Sequence, residues 1–566
     1  VGYEVGEFPI PIAVPHPDLY IRLHRHALLR DREQVPVAFY HHLGPLSSSG
    51  QPQLAPYIPN PKSIRNHLAA TVHRFGRESK PSDISSVQRF TAYSKAFIKR
   101  FGSVDRSDIL EFDEWLASCG YSGGRKTQLA NLWDDDFNID TRLLKSKLFL
   151  KWEGYLKPKH ARGINSYSDE SKLIFGPLFK SMDKCFFRER FFTKGTDVSE
   201  RPGMLYDLFG ERPVVETDFT SFESHHRGAF SDIVHYWMMH MMRGLRLPKG
   251  LQRLISVAVK GVNVCESQFI TAHVPQTLMS GALWTSSSNG LLNLLVMSYL
   301  WSNNKADNPE DQANFAFDNF KGLIEGDDGI TETFDVDQQL IDSLGIDLKL
   351  ESVNNYGEAS FCGIVCPVGS DDVLYDPKRF LRNFFWLPSK FERCKQSVKD
   401  GYIRAKALSY AHNFGGSPIV GPISRFICEH TKSINIQNVV LDSFDSYKRE
   451  QLEKTINTRP DDEKLVSDAS REHVALKFGM SIKQQLHIEN RVLRGESVDL
   501  SLWMMPDDDD HNLMHITEYE SDGIRWTPNH LPPILAQILR DGHLGIPSAR
   551  KNKELMPRSG SRTASA

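Results

Sequence analysis

The chain has 566 residues and carries 68 Lys and Arg against 71 Asp and Glu, a net charge of −3. With 40% apolar and 25% charged residues it is neither disordered nor a basic coat, and its length suits three or four domain-sized units, so a polyanion would have to be gripped by a local patch. No apolar run reaches the roughly 18 residues of a membrane span; the longest, near Gly290–Trp301, is broken by Asn293. Residues 1–62 hold ten prolines, among them Pro9, Pro11, Pro15 and Pro17, which predicts extended chain draped over other parts. No secretory signal opens the chain, and Val1-Gly2 without a Met fits a trimmed or processed end. The seven cysteines form no CxxC pair, so they read as small buried side chains in a reducing compartment.

Residues 84–118 show apolar steps of three and four (Phe90, Tyr93, Phe97, Phe101) and predict helix, which Gly120, Gly123 and Gly124 then break. Residues 142–194 hold thirteen Lys and Arg against five acids, a local +8, with Trp152, Tyr155, Tyr167, Phe186 and Phe187 interleaved. That pattern suits either a solvated face or contact with nucleic acid or phosphate. Residues 212–222 predict a strand running into a turn and carry Asp218. Helices are predicted at 229–245 and 285–300, a hairpin at 321–333 with a Gly-Asp-Asp-Gly tip, then a helix ended by Gly345 and a strand from Ile346 to Leu350. From Pro377 to about Ile456 the pattern is helical. The run Asp507–Asp510 reads as a solvated loop and the last residues as a disordered tail.

Three stretches combine into a chemical proposition. Asp218 comes near the end of a strand, while Asp327 and Asp328 sit at a Gly-flanked tip. Carboxylates crowded within about 4 Å repel by roughly 4 kcal/mol at an effective dielectric near 20. A hard divalent cation relieves that, and Mg²⁺, with Mn²⁺ as the alternative, suits the oxygen donors. Two such ions serve in-line nucleotidyl transfer. The tip alone is equally an ordinary turn. Ser280-Gly281-x3-Thr285-x3-Asn289 is a Ser-Gly loop feeding a helix, and Thr285 and Asn289 lie on one helical face where a sugar or template could meet them.

Asp218-Phe219-Thr220-Ser221-Phe222-Glu223, then Ser280-Gly281-x3-Thr285-x3-Asn289, then Gly326-Asp327-Asp328, resemble motifs A, B and C of the RNA-dependent RNA polymerases of positive-strand RNA viruses, in the tombusvirus- and nodavirus-like group. The intervals of 62 and 47 residues agree. Phe149–Glu153 with Lys157–Ile164 resembles motif F, Leu344–Lys349 motif D, Ser360–Gly363 motif E, and Arg404–Ser409 a thumb helix. The resemblance covers about residues 145–415. It implies an α+β right-hand fold, with an antiparallel palm sheet flanked by helices. The implied divisions are an N-terminal extension and fingers (1–210), palm (211–227), a fingers insertion (228–277), palm again (278–375), thumb and C-terminal region (376–545) and tail (546–566).

The resemblance further implies that Asp218, Asp327 and Asp328 bind Mg²⁺, that Lys151, Lys159 and Arg162 face the triphosphate, and that Lys349 is the candidate general acid. Ser280, Gly281, Thr285 and Asn289 would approach the ribose and template. Glu223 stands where the family usually has Asp; being one methylene longer, its contact with Asn289 or the ribose would be shifted. The implied partners are an RNA template and product, nucleoside triphosphates and other viral replication proteins, with no integral membrane segment. The implied setting is the host cytoplasm, in membrane-associated replication complexes reached through partners or a missing segment. Two rivals stand beside this reading: a reverse-transcriptase-like palm polymerase and a non-catalytic RNA-binding replication factor.

Overall fold

The computed structural model describes residues 13–27, 40–42, 46–47, 58–133, 139–151, 153, 160–388, 391, 393–444, 449, 452–453, 455–456, 465–496, 498–499, 519–521, 524–526 and 533–545. Lys159, most of the proline-rich start, the Asp507–Asp510 run and the tail from 546 lie outside them. The architecture is α+β: a six-stranded and a four-stranded sheet set among many helices. No helix among the described residues is long and apolar enough to cross a membrane.

The four-stranded sheet is antiparallel throughout and runs in the order Gly322–Glu325, Asp328–Glu332, Val214–Phe219, Leu348–Val353. Alternation sorts its side chains. Val215 and Phe219 are buried on one side, where Ile324 joins the main core with Leu291, Leu294 and Leu295 of the helix Thr285–Trp301. On the other side Val214, Leu323 and Ile330 pack with Leu205 and Phe209 of the helix Arg201–Phe209 and with Tyr356 and Phe361. Asp218 shares that second face with Val214, four residues back along the strand. Apolar side chains thus pack on both faces of the inner strands, while the edge strand Leu348–Val353 is largely open to solvent.

The six-stranded sheet runs His543–Leu544, Tyr20–Leu23, Ile270–Pro275, Val262–Glu266, Lys145–Leu150, Gly163–Tyr167. The proline-rich start therefore supplies a strand of its own, with Leu19 and Ile21 buried. Residues 533–545, which the sequence grouped with the helices after 376, pack here, with Leu535 and Ile538 in the same core as Ile21. The region after 376 builds a separate helical core around Phe380, Phe384, Leu408 and Ile423, and its helices include Gln396–Phe414 and Val420–His430. The strand Trp386–Pro388 lies among its helices and pairs with Tyr40–His42.

Several boundaries differ from the sequence expectation, and the helix expected at 229–245 ends at Met241, a 3-10 turn following over Arg243–Leu245. The helix predicted over 84–118 is two, Ile84–Lys99 and Phe112–Ser118, parted by a connection that includes the 3-10 turn Arg106–Asp108. The glycines at 123 and 124 begin a helix rather than break one, because the Ser122 hydroxyl caps it by accepting from Arg125 N. The strand expected from Ile346 starts at Leu348, since Asp347 is drawn into contacts with neighbouring segments. None of the seven cysteines is in a disulfide, and Cys265, Cys366 and Cys428 are buried.

Candidate functional site

The hairpin tip is a two-residue turn, Gly326-Asp327, closed by the pair Glu325↔Asp328. Gly326 has φ +66°, the left-handed value that makes glycine the fitting residue at the first corner. On the adjoining strand Gly329 pairs with Thr217, so one step along the same register brings Asp328 beside Asp218. From the opposite edge Lys349 pairs directly with Asp218. Residues opposite one another in an antiparallel pair project to the same face. Asp218, Asp328 and Lys349 thus come from three separate stretches to one face at one end of the sheet, with Asp327 at the turn.

The crowding has an electrostatic signature. Asp328 remains reachable by water, yet the atoms packed around it, then the charges of Asp327, Glu325 and Asp218, push its pKa up to about 7, while the Cys362 thiol pulls it down. Glu325 is held separately: its Oε2 accepts from Arg201 NH2 (2.6 Å), Thr193 Oγ1 (2.9 Å) and Cys362 Sγ (3.7 Å). Arg201 has only 8% of its side chain exposed, and this ion pair anchors the tip end of the hairpin. Cys362, expected to be a small apolar filler, instead abuts the acidic end with φ +56°.

From behind, Asn293 secures the turn. Its Nδ2 donates to the carbonyls of Gly326 (3.2 Å), Asp327 (3.0 Å) and Asp328 (3.2 Å). Thr217 Oγ1 adds bonds to Asp327 O and Gly329 O, each 3.4 Å. The sequence registers Asn293 only as a break in an apolar run. The signal was its spacing: Thr285, Asn289 and Asn293 recur every fourth residue and form a polar stripe on a mostly apolar helix.

The Ser-Gly loop is fixed largely by its backbone. Ser280 O accepts from Asn165 N at 2.7 Å. Gly281 has φ +102°, and a Cβ there would lie 2.8 Å from Asn165 O, so both conformation and space require glycine. Thr285, expected to face a sugar or template, turns its hydroxyl back to Met279 O (3.0 Å) and Ala282 O (2.9 Å) and holds the loop. The expected meeting of Glu223 with Asn289 is not made. Glu223 Oε1 accepts from Arg74 Nε at 3.0 Å, and Asn289 Oδ1 accepts from His226 Nε2 at 2.9 Å.

Of the basic candidates, Lys151 and Arg162 flank one carboxylate, Glu153, at 2.9 and 3.8 Å. They leave a strand hairpin, Lys145–Leu150 with Gly163–Tyr167, that Lys151 N extends by donating to Arg162 O. Lys349 is largely exposed, with Glu351 3.6 Å away. A strap over residues 74–80 completes the surroundings. Arg77 and Lys80 grip Asp347 at 2.7 and 2.5 Å, while Arg227 reaches the carbonyls of Phe75 and Arg77.

The donor chemistry suits a hard divalent cation: the register brings carboxylates to one end of the sheet, and oxygen is the donor such ions take. Among the described residues no three His, Cys, Asp or Glu side chains are gathered closely enough to hold an ion on their own. No family model matches the chain, and a search of curated proteins finds no match, so the site's chemistry rests on its own geometry.

Proposed function

We propose that this chain is a template-directed RNA polymerase of right-hand architecture that copies RNA for viral genome replication and transcription. In this reading the four-stranded sheet is the palm, the six-stranded sheet and its helices are the fingers, and the helices after 376 are the thumb. The observation that carries it is the register that sets Asp218 against Asp328 on one side and Lys349 on the other. Three acids and a lysine at one end of a sheet whose inner strands carry apolar packing on both faces suit a reaction that must hold phosphates and a strand terminus still.

Asp218, Asp327 and Asp328 would hold Mg²⁺ or Mn²⁺, which when bound sharpens the attacking hydroxyl and offsets charge on the leaving pyrophosphate. An ion bound through few carboxylates would complete its shell with water and nucleotide phosphates, as Mg²⁺ does. Asn293 and the Arg201–Glu325 pair keep the acidic turn in place, so that the carboxylates need no rearrangement when the nucleotide arrives. Lys151 and Arg162, which flank Glu153, would be the cations that meet a triphosphate. Lys349, exposed beside Asp218, can give a proton to a departing phosphate oxygen. Primer extension on an RNA template with Mg²⁺ tests the reading. It expects template-dependent RNA product that is lost with chelator; a folded protein that binds template but never extends it contradicts the reading.

A further inference from the structure

Lys349 stands on the edge strand of the four-stranded sheet, which is bonded to a neighbour on one side only and of which only Leu348 is buried. With so little apolar packing, the place of this strand depends on polar contacts at its start. They converge on Asp347, two residues before Lys349. Asp347 O accepts from Thr220 N at 3.0 Å, which closes the ladder two residues beyond the pair of Lys349 with Asp218. Asp347 N donates to Nε2 of the buried His225 at 2.8 Å. The chain reaches His225 through Ser221 at φ +50°, a left-handed corner that a residue with a side chain holds at a cost. Each oxygen of the Asp347 carboxylate has its own cation: Arg77 Nη2 meets Oδ2 at 2.7 Å and Lys80 Nζ meets Oδ1 at 2.5 Å. Asp347 and Arg77 are 16% and 17% exposed, Lys80 48%.

The strap that supplies these cations is itself fixed. Glu78 N donates to Val14 O at 2.7 Å, and Gly76 O accepts from His16 N at 2.8 Å. The half-buried Arg227 donates to Phe75 O at 2.8 Å and to the carbonyl of Arg77, and Ser79 Oγ donates to Ser224 O at 3.3 Å. The strap also lies against the turn that precedes Asp347. Asp83 N donates to Ser343 O at 2.7 Å, and a Cβ on Gly345, which has φ +69°, would lie 2.8 Å from Lys80 O. The turn 343–347 is thus seated between the strap and the 3-10 turn Phe222–His225, and Asp347 joins all three. A charge-assisted bond to each carboxylate oxygen fixes the side chain's orientation as well as its place.

We propose that Arg77 and Lys80 are positioning residues: by gripping Asp347 they hold Lys349 opposite Asp218 and so set the rate at which Lys349 protonates the leaving group. In that step the 3′-oxygen bonds to the α-phosphorus while the bond from the α-phosphorus to the bridging oxygen breaks. The hydroxyl proton goes to water, and the Lys349 ammonium gives one proton to pyrophosphate and is recharged from water. The step rests on the polymerase reading above; the clamp's contacts do not. Primer extension with Mg²⁺ gives kcat and KM for nucleotides in wild type, Arg77→Met, Arg77→Lys, Lys80→Met, Lys349→Met and the double variant Arg77→Met with Lys349→Met, while hydrogen exchange follows residues 345–351. Arg77→Met should lower kcat about tenfold with KM within about twofold of wild type, because it misplaces a group used at the transition state, and exchange at 345–351 should rise. Lys80→Met, on a half-exposed side chain, should cost about threefold, and Arg77→Lys should recover part of the Arg77→Met loss by keeping the charge. With Lys349 already replaced, Arg77→Met should cost no further kcat, since the group it positions is gone, whereas a merely structural role would add its full loss. Full additivity in the double variant overturns the proposal, as does folded Arg77→Met with unchanged kcat. If Arg77→Met does not fold, Lys80→Met, alone and with Lys349→Met, decides in its place. A wild type that never extends a primer refutes the polymerase reading and the role given to Lys349; exchange at 345–351 that is the same in wild type and Arg77→Met would then remove the clamp as well, and a rise would keep it.

Discussion

Replacing Asn293 by Leu removes the amide that ties the hairpin turn to the long helix while keeping the branching at Cγ, in a somewhat larger side chain. Two N–H groups serve three carbonyls at 3.0–3.2 Å, and Asn293 is fully buried. At a net worth of about 1 kcal/mol per bond, and with water able to reach part of the exposed turn, the loss should be about 1–3 kcal/mol. Asn293→Asp should cost more, about 3–5 kcal/mol, because a carboxylate would face three carbonyl oxygens close to Asp327 and Asp328. The added penalty should shrink as the pH falls toward 4 and the new carboxyl takes up a proton. Urea unfolding gives the global figure, and hydrogen exchange over residues 322–332 gives the local one. Exchange in that hairpin unchanged in Asn293→Leu, or an Asp variant as stable as the Leu variant at pH 8, would refute this account of the turn.

Arg201→Met leaves Glu325 without its main partner and should destabilise by about 3 kcal/mol, while Arg201→Met with Glu325→Gln should recover much of that; a double-mutant cycle reads it. Gly281→Ala forces a Cβ toward Asn165 O at positive φ and should cost about 1–3 kcal/mol, measured as a shift in the urea midpoint. Acidification should also destabilise. Burial holds His67, His73 and His225 down to about 4, and His160 and His226 to about 3. Below pH 6.5 the unfolded chain therefore binds protons that the native state refuses, and stability present above 6.5 is lost as pH falls toward 4, at about 1.4 kcal/mol per pH unit for each histidine. Asp183 (about 6) and Asp328 (about 7) act oppositely, contributing stability at low pH that is lost as pH rises through those values. His235, His240 and His273 are shifted down and Glu189, Glu216 and Asp376 up, so eight histidines stand against five acids, and thermal melts at pH 4.5 should lie below those at pH 7.

The sequence made the four-stranded sheet legible because its signals are local. The alternation around Asp218 and the Gly-Asp-Asp-Gly tip each specify an element within a dozen residues. The partners of the polar groups were not legible, because they come from far along the chain. Arg74 is 149 residues from Glu223, and His226 is 63 from Asn289. No local pattern marks Tyr20–Leu23 and His543–Leu544 as neighbours, since strands this short derive their stability from the sheet they join. The strand start moved from Ile346 to Leu348 for a similar reason: Asp347 N donates to His225 Nε2, and its carboxylate meets Arg77 and Lys80. Thr285 illustrates the opposite error. A hydroxyl on the right helical face reads as a ligand contact, but at a helix start it also reaches the carbonyls of its own loop.

RNA synthesis by purified Asp218→Ala and Asp327→Asn, set beside wild type in one primer-extension assay with Mg²⁺, addresses the convergence of distant acids most directly, because the two substitutions sit on different segments that meet only in the fold. Both variants should keep the wild-type melting behaviour within a few degrees and the same RNA binding, and both should lose elongation. Undiminished synthesis by either variant would contradict the account.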